Sequence, residues 1–261
     1  MTSRIRVAVF LGAATLLAIA FVRAAAALPA FGSRISAYAD LVNRLSVPER
    51  NSGDAVTVVN FDVRGVDTLG EELILFCAVS GVALLLRPRR EDEFLAPAHR
   101  ALEPGGSPPP LWRMTARAAI PIMFVVGLEI ATHGHLTPGG GFQGGTMIGS
   151  AICSAFVLGH YRAFHLLAPK PPADGVEGGA VAGFVAVGIA GLVAGAPFLA
   201  NVLPLGKPLT FLAAGTIWVL NVFVGMAVGA GFALLAAEFL EQLTRVHARR
   251  GAGQNAQGEF H

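Results

Sequence analysis

Glu129 and His133 stand four residues apart in an otherwise apolar run, with His135 two residues further on. On a helix the first two share a face, where a carboxylate and an imidazole can pass a proton near neutral pH or simply form an interfacial hydrogen-bonded pair. A second group lies upstream, in F-D-V-R-G-V-D-T-L-G-E from Phe61 to Glu71. Arg64, Asp67 and Glu71 are spaced by three and four residues and can share a helix face, with Asp62 just before them and Gly65 free to bend the chain. Two readings are open for this group: an ion-paired entry to a membrane span, or a carboxylate relay for protons or a hard cation, which oxygen ligands suit.

The elements that must position these groups are helices separated by one break. From Glu129 to Gly149 the chain reads E-I-A-T-H-G-H-L-T-P-G-G-G-F-Q-G-G-T-M-I-G, between apolar runs Ala118 to Leu128 and Met147 to Leu158. Thr137-Pro138 should end a helix, because proline lacks an N–H and pushes its predecessor out of the helical region. Gly139, Gly140 and Gly141 then let the backbone turn where a Cβ would clash. Irregular backbone at membrane depth survives only where it is buried in protein or lines a wet cavity. The stretch is therefore a packing elbow, which the local pattern favours, or an ion or water path.

A membrane setting follows from composition. The 261 residues are 54% hydrophobic and 14% charged, with mean hydropathy +0.61, against about 25% charged in soluble domains. A net charge of +2 gives no basic surface for nucleic acid. Cys77 and Cys153 both sit in apolar runs and form no C-x-x-C, so they are read as small buried hydrophobes rather than metal or disulfide sites. No cofactor or metal is expected. The glycine run Gly139 to Gly145 lacks the G-K-[ST] of a phosphate loop, and no nucleophile–base set, dinucleotide fingerprint or H-E-x-x-H is present. Lys170 and Lys207 are expected in loops, leaving no lysine inside the membrane to move charge.

Six apolar runs suggest an all-α integral membrane protein with about six spans. The first, Val7 to Val22, is read as a retained span, although its flanks also fit a secretory signal peptide. The second ends at Leu86, and the others are Trp112 to Thr132, Phe142 to Tyr161, Val176 to Leu199 and Leu209 to Glu238. Residues 91–110 form a Pro/Gly-rich linker, which divides a two-span module (1–90) from a four-span domain (111–245) and a tail (246–261). Basic residues gather at Arg4 and Arg6, Arg87 to Arg117, Arg162 and Lys170, and Arg245 to Arg250. By the positive-inside rule both termini and the linker are cytoplasmic, and the glycine break lies near the outer face. Glu238 and Glu241 fall in the inner headgroup region. Small residues four apart (Gly141, Gly145 and Gly149; Gly179 and Gly183; Gly191 and Gly195; Gly225 and Gly229) form ridges that allow close helix packing, within the chain or against partners.

Gly134 to Gly145, G-H-L-T-P-G-G-G-F-Q-G-G, resembles the signature of the MnhB subunit of the multisubunit Mrp-type (Mnh) Na⁺/H⁺ antiporters. Phe61 to Glu71 resembles a stretch near the end of the large MnhA-type subunit of the same complexes, a separate small subunit in membrane-bound hydrogenases. Val63 and Val66 stand where that pattern has phenylalanines. The resemblance implies an accessory subunit in a bacterial cytoplasmic membrane, partnered by large antiporter-like subunits and small membrane subunits. It implies a complex that exchanges Na⁺ for H⁺ and needs no cofactor or catalytic residue in this chain. The motifs carry over to Asp62, Arg64, Asp67 and Glu71, and to Gly134, His135, Pro138, Gly139, Gly140, Gly141, Gly144 and Gly145. A purely structural subunit and the membrane arm of a hydrogenase-like redox complex are the alternatives.

Overall fold

The computed structural model describes residues 3–28, 32, 36–86, 109–167 and 169–258. All regular structure among them is helical. The chain forms two units, Met1–Leu41 and Val42–His261. The first is dominated by α1 (Ser3–Ala26), which contains the first apolar run and whose described side chains are exposed along its length. The second unit begins within α2 (Ala37–Arg50) and continues through α3 (Ala55–Val58), a π-helical turn (Val59–Val63), α4 (Gly65–Leu85), α5 (Pro110–His133), α6 (Gly141–Leu167), α7 (Lys170–Val193) and α8 (Thr216–Gly258). The expected linker falls on residues outside the description, apart from Pro109, the residue before α5, and Pro110, its first residue, where a missing N–H costs nothing.

Among the described residues five helices are long and apolar enough to cross a membrane: Arg4–Ala26, Gly65–Leu85, Met114–His133, Lys170–Val193 and Thr216–Gln242. The remaining expected run, Phe142 to Tyr161, lies within α6, 27 residues long and packed against both α5 and α8. Gly144 meets Ala131 of α5, while Gly145 and Gly149 meet Val228 and Phe232 of α8. These pairings make α5 and α6 antiparallel and set α6 and α8 in the same sense. Gly183 beside Phe223 and Glu177 beside Gly231 run α7 antiparallel to α8. The ridge of Gly141, Gly145 and Gly149 is thus an internal one. Gly179 and Gly195 have open space where a Cβ would stand.

Two boundaries differ from the sequence reading. The run expected over Val176 to Leu199 is helical from Lys170 to Val193, because Pro171 and Pro172 fit a first turn and Gly195, at φ 75°, ends the helix. Lys170 is consequently the first residue of a helix and not a loop residue. The run expected from Leu209 becomes helical only at Thr216, since Leu209 and Ala214 adopt positive φ and Asn201 caps the new helix by accepting from the Thr216 N–H at 2.9 Å. The core joins Val58 and Phe61 of the upstream segment to Phe184, Leu199, Ile217, Leu220 and Val224. The Phe61 and Phe184 rings meet at 6.3 Å, so the upstream segment is part of the same packed body as the four-helix domain.

Candidate functional site

The break is closed by its own backbone before the proline is reached. α5 ends at His133, whose carbonyl accepts from the N–H of Leu136 at 2.8 Å and of Thr137 at 3.1 Å. Pro138 therefore follows the helix end by several residues instead of causing it. Gly139 and Gly140 hold φ of 151° and 132°, a region open to glycine, and a Cβ on either would meet Ile130 or Asn221. Asn221 of α8, fully buried, accepts from the Gly141 N–H at 3.0 Å and so caps α6 from a neighbouring helix.

The upstream segment docks on this elbow. The His135 carbonyl accepts from the N–H groups of Gly53 at 2.8 Å and Asp54 at 3.2 Å and from the Ser52 hydroxyl at 2.9 Å. The Thr57 hydroxyl lies 2.6 Å from the Gly134 carbonyl and 2.7 Å from the Asp54 carboxylate, which caps α3. His135 lies past the helix end, but its side chain is fully buried, with Nε2 3.2 Å from the Thr210 carbonyl and Nδ1 unpartnered. Burial holds its pKa below the usual histidine value, against the pull of the Thr210 carbonyl. A neutral ring donating from Nε2 fits these surroundings. The stretch is a packed elbow.

The charged groups read from the sequence separate into two sets. Asp62, on the π-helical turn, turns inward and receives the Arg50 guanidinium at 2.7 Å, an arginine on α2 that the sequence reading had not joined to it. Arg64 and Asp67 pair with each other at 2.6 Å on the exposed face of α4, and Glu71 is exposed on the same face. Glu129 is likewise exposed at the end of α5. His133 Nδ1 is 3.7 Å from its carboxylate and closer, 3.1 Å, to its backbone carbonyl. The His133 ring packs on Phe211 at 5.0 Å, and Phe211 in turn meets Trp218 edge-on.

Two carboxylates that the sequence reading left out of its site are buried in the helix bundle. Glu72 is 1% exposed and Glu177 is 4% exposed, and each has an Oε1 with no hydrogen-bond partner. Glu72 belongs to the buried stripe of α4 with Gly65, Thr68 and Val79. Glu177 reaches the interface of α7, α4 and α8, with Oε1 3.0 Å from the point where a Cβ on Gly231 would stand and Val79 beside the same point. Toward the far end of the bundle, Lys170 Nζ holds Glu238 at 2.6 Å and Glu241 at 2.9 Å. The signal for Glu177 was a lone carboxylate inside an apolar run. Glu72 carried no such signal: neighbours on a helix point about 100° apart, so Glu71 and Glu72 must face differently, but the spacing does not say which of them is inside. An apolar cavity of about 300 Å³ between α5, α6, α7 and α8 is lined by Leu128, Ile148, Ile152 and Val176 among others and by no ionisable group.

A family model described as a domain related to the MnhB subunit of Na⁺/H⁺ antiporter matches residues 111–234. An uncharacterized protein of Methanocaldococcus jannaschii is 32% identical over 210 residues, which cover 73% of this chain and 78% of that one. Among solved structures, a chain of the membrane-bound sulfane sulfur reductase, an archaeal respiratory membrane complex, aligns with TM-score 0.65 and 28% identity over 90% of this chain and 98% of its own. A chain of the Mrp complex from Dietzia sp. DQ12-45-1b aligns with TM-score 0.66 and 25% identity over 91% of this chain. This chain spans 26% of that longer one.

Proposed function

Because the chain belongs to the family of the MnhB-related domain, we propose that it is an accessory subunit of a multisubunit cation/proton antiporter-type membrane complex, with its exposed membrane charges beside an ion route. The observation that carries this reading is the outward face of α4 and α5. Arg64 and Asp67, at 63% and 53% side-chain exposure, Glu71 and Glu129 all stand on the outside of a bundle that also exposes many large apolar side chains. A charged group at membrane depth costs roughly 2.5–3.5 kcal/mol on the insertion scale and normally meets a partner or a wet path. These groups are met by neighbouring subunits, the large antiporter-like ones and other small membrane subunits. Asp67, Glu71 and Glu129 border the route that carries Na⁺ and H⁺ between them, with His133 beside Glu129. His135 and the glycines hold the elbow that keeps this face in register.

In this reading the chain makes six spans in the cytoplasmic membrane of a bacterium, with both termini and the linker inside. Residues 1–90 are an MnhA-like module fused to the MnhB-like domain. The alignment of 91% of this chain within a single chain of the Mrp complex supports that fusion, since such a length includes residues on both sides of the linker. The test is Na⁺/H⁺ exchange in vesicles carrying the whole complex, comparing wild type with Asp67→Asn and checking assembly on a native gel. Loss of exchange in an assembled complex supports the reading; full exchange makes the charged face a structural contact.

One observation favours a second reading. The alignment covers 98% of the sulfane sulfur reductase subunit but only a quarter of the Mrp chain. On that basis the chain is a membrane-arm subunit of a redox-driven respiratory complex. Ion movement that requires an electron donor, in the same vesicles, would select it.

A further inference from the structure

We propose that Glu72 and Glu177 are two stations of a proton path that runs through the interface of α4, α7 and α8, apart from the exposed charged face. Both side chains are more than nine-tenths buried, and each has a carboxyl oxygen without a hydrogen-bond partner. They come from different helices and enter one interface. Val79, which lies beside the Glu177 carboxyl at Gly231, is seven residues beyond Glu72 on α4. At 1.5 Å per residue the two stations are offset along the bundle by about 10 Å, a gap for a short chain of waters rather than a direct hydrogen bond.

Polar groups continue the line in both directions. Lys170, Asp174 and Glu177 follow at spacings of four and three on α7, so the salt-bridged Lys170, Glu238 and Glu241 at the far end lead to Glu177 along one face. One turn before Glu72, the buried Thr68 hydroxyl donates to the Asn60 carbonyl at 2.7 Å, and the Arg50–Asp62 pair lies just beyond. The other charged neighbour is Glu71, which points out of the bundle. Among the described residues, Lys170 and Arg50, the cations at the two ends of this line, are both engaged with other carboxylates. A carboxylate withdrawn from water with no cation beside it takes up a proton instead of remaining charged.

The ligand is a proton: the two carboxyls stand apart along the bundle, whereas a hard cation gathers about six oxygens around one point. Gly231 serves this site by leaving room for the Glu177 carboxyl, since a Cβ there would stand 3.0 Å from Oε1.

Infrared difference spectroscopy and proton flux on the whole complex in vesicles test the proposal. A protonated-carboxyl C=O band is expected near neutral pH, diminished in Glu72→Gln and in Glu177→Gln and shifted in frequency in Glu72→Asp and Glu177→Asp. Proton flux should fall at least tenfold in the assembled Gln variants and partly recover in the Asp variants, which also serve if a Gln variant does not assemble. Absence of the band, its loss on adding Na⁺ at constant pH, or undiminished flux in an assembled Glu72→Gln/Glu177→Gln variant would each overturn the proposal. Asp67→Asn in the same vesicles separates this result from the exposed face: flux lost at Asp67 but kept in the buried pair's variants leaves that face standing and removes the inner path.

Discussion

Replacing Gly145 by alanine sets two known effects against each other. Alanine is a better helix former by about 0.8–1.0 kcal/mol, so an uncrowded helical site gains from the exchange. At Gly145 the new Cβ would stand 2.7 Å from the Gly225 carbonyl oxygen and 2.8 Å from the Val228 Cβ, and both are fixed parts of α8 rather than flexible side-chain ends. Ordinary contact needs 3.4 Å or more, so α6 and α8 must part by more than half an ångström along their whole crossing. Such overpacking costs about 1–3 kcal/mol. Gly178 on α7 is the control, because nothing lies within 4 Å of the same point there. Both substitutions share the propensity gain, so the stability difference between Gly178→Ala and Gly145→Ala isolates the contact at about 1–3 kcal/mol, or roughly 5- to 150-fold in the unfolding equilibrium at 1.4 kcal/mol per decade. Equilibrium unfolding of the purified full chain in mixed micelles, read by tryptophan fluorescence, measures it. Equal stabilities of the two variants would refute the argument that α6 and α8 touch backbone to backbone.

Three further outcomes follow from single contacts. Asp62→Asn should destabilise the chain by about 1.5–3 kcal/mol, the scale of a hydrogen bond to a charged group, because it strips the Arg50 guanidinium of its carboxylate; thermal unfolding of the variant checks this. His135 binds its proton less readily folded than unfolded, so the unfolded state holds more protons on acidification. Stability should be complete above the ordinary value of 6.5 and fall as pH drops below it, by up to ~1.4 kcal/mol per pH unit. Protection of the Gly53 and Asp54 amides from hydrogen exchange, taken relative to the intrinsic rate at each pH, should fall in that range, since both donate to the His135 carbonyl, and should stay level with pH in His135→Gln. Thr57→Val should cost about 0.5–1.5 kcal/mol and speed exchange at the same two amides, since it removes the hydroxyl at the Gly134 carbonyl.

Much of the architecture was legible in the residue order because membrane helices are selected by local composition. Each apolar run recurs as a helix or most of one, and three glycines after a proline mark the elbow because few other residues tolerate the backbone there. The 141/145/149 ridge likewise announced a close crossing, since four-residue spacing puts small residues on one face. The order of residues did not disclose which face of α4 looks inward. Glu71 and Glu72 are adjacent and chemically equivalent, and only the packing of α7 and α8 against Thr68, Glu72 and Val79 buries one and leaves the other outside. Nor did it join Arg50 to Asp62, Asn221 to the start of α6, or Lys170 to Glu238 across 68 residues. Those partners are distant in the chain, and their meeting depends on the crossing of whole helices. The sequence by itself determined the helices, their break and a membrane class, because these rest on hydropathy and backbone sterics within a few residues. The tertiary structure alone decided which charges face the interior, because burial belongs to the assembled bundle and to no single helix.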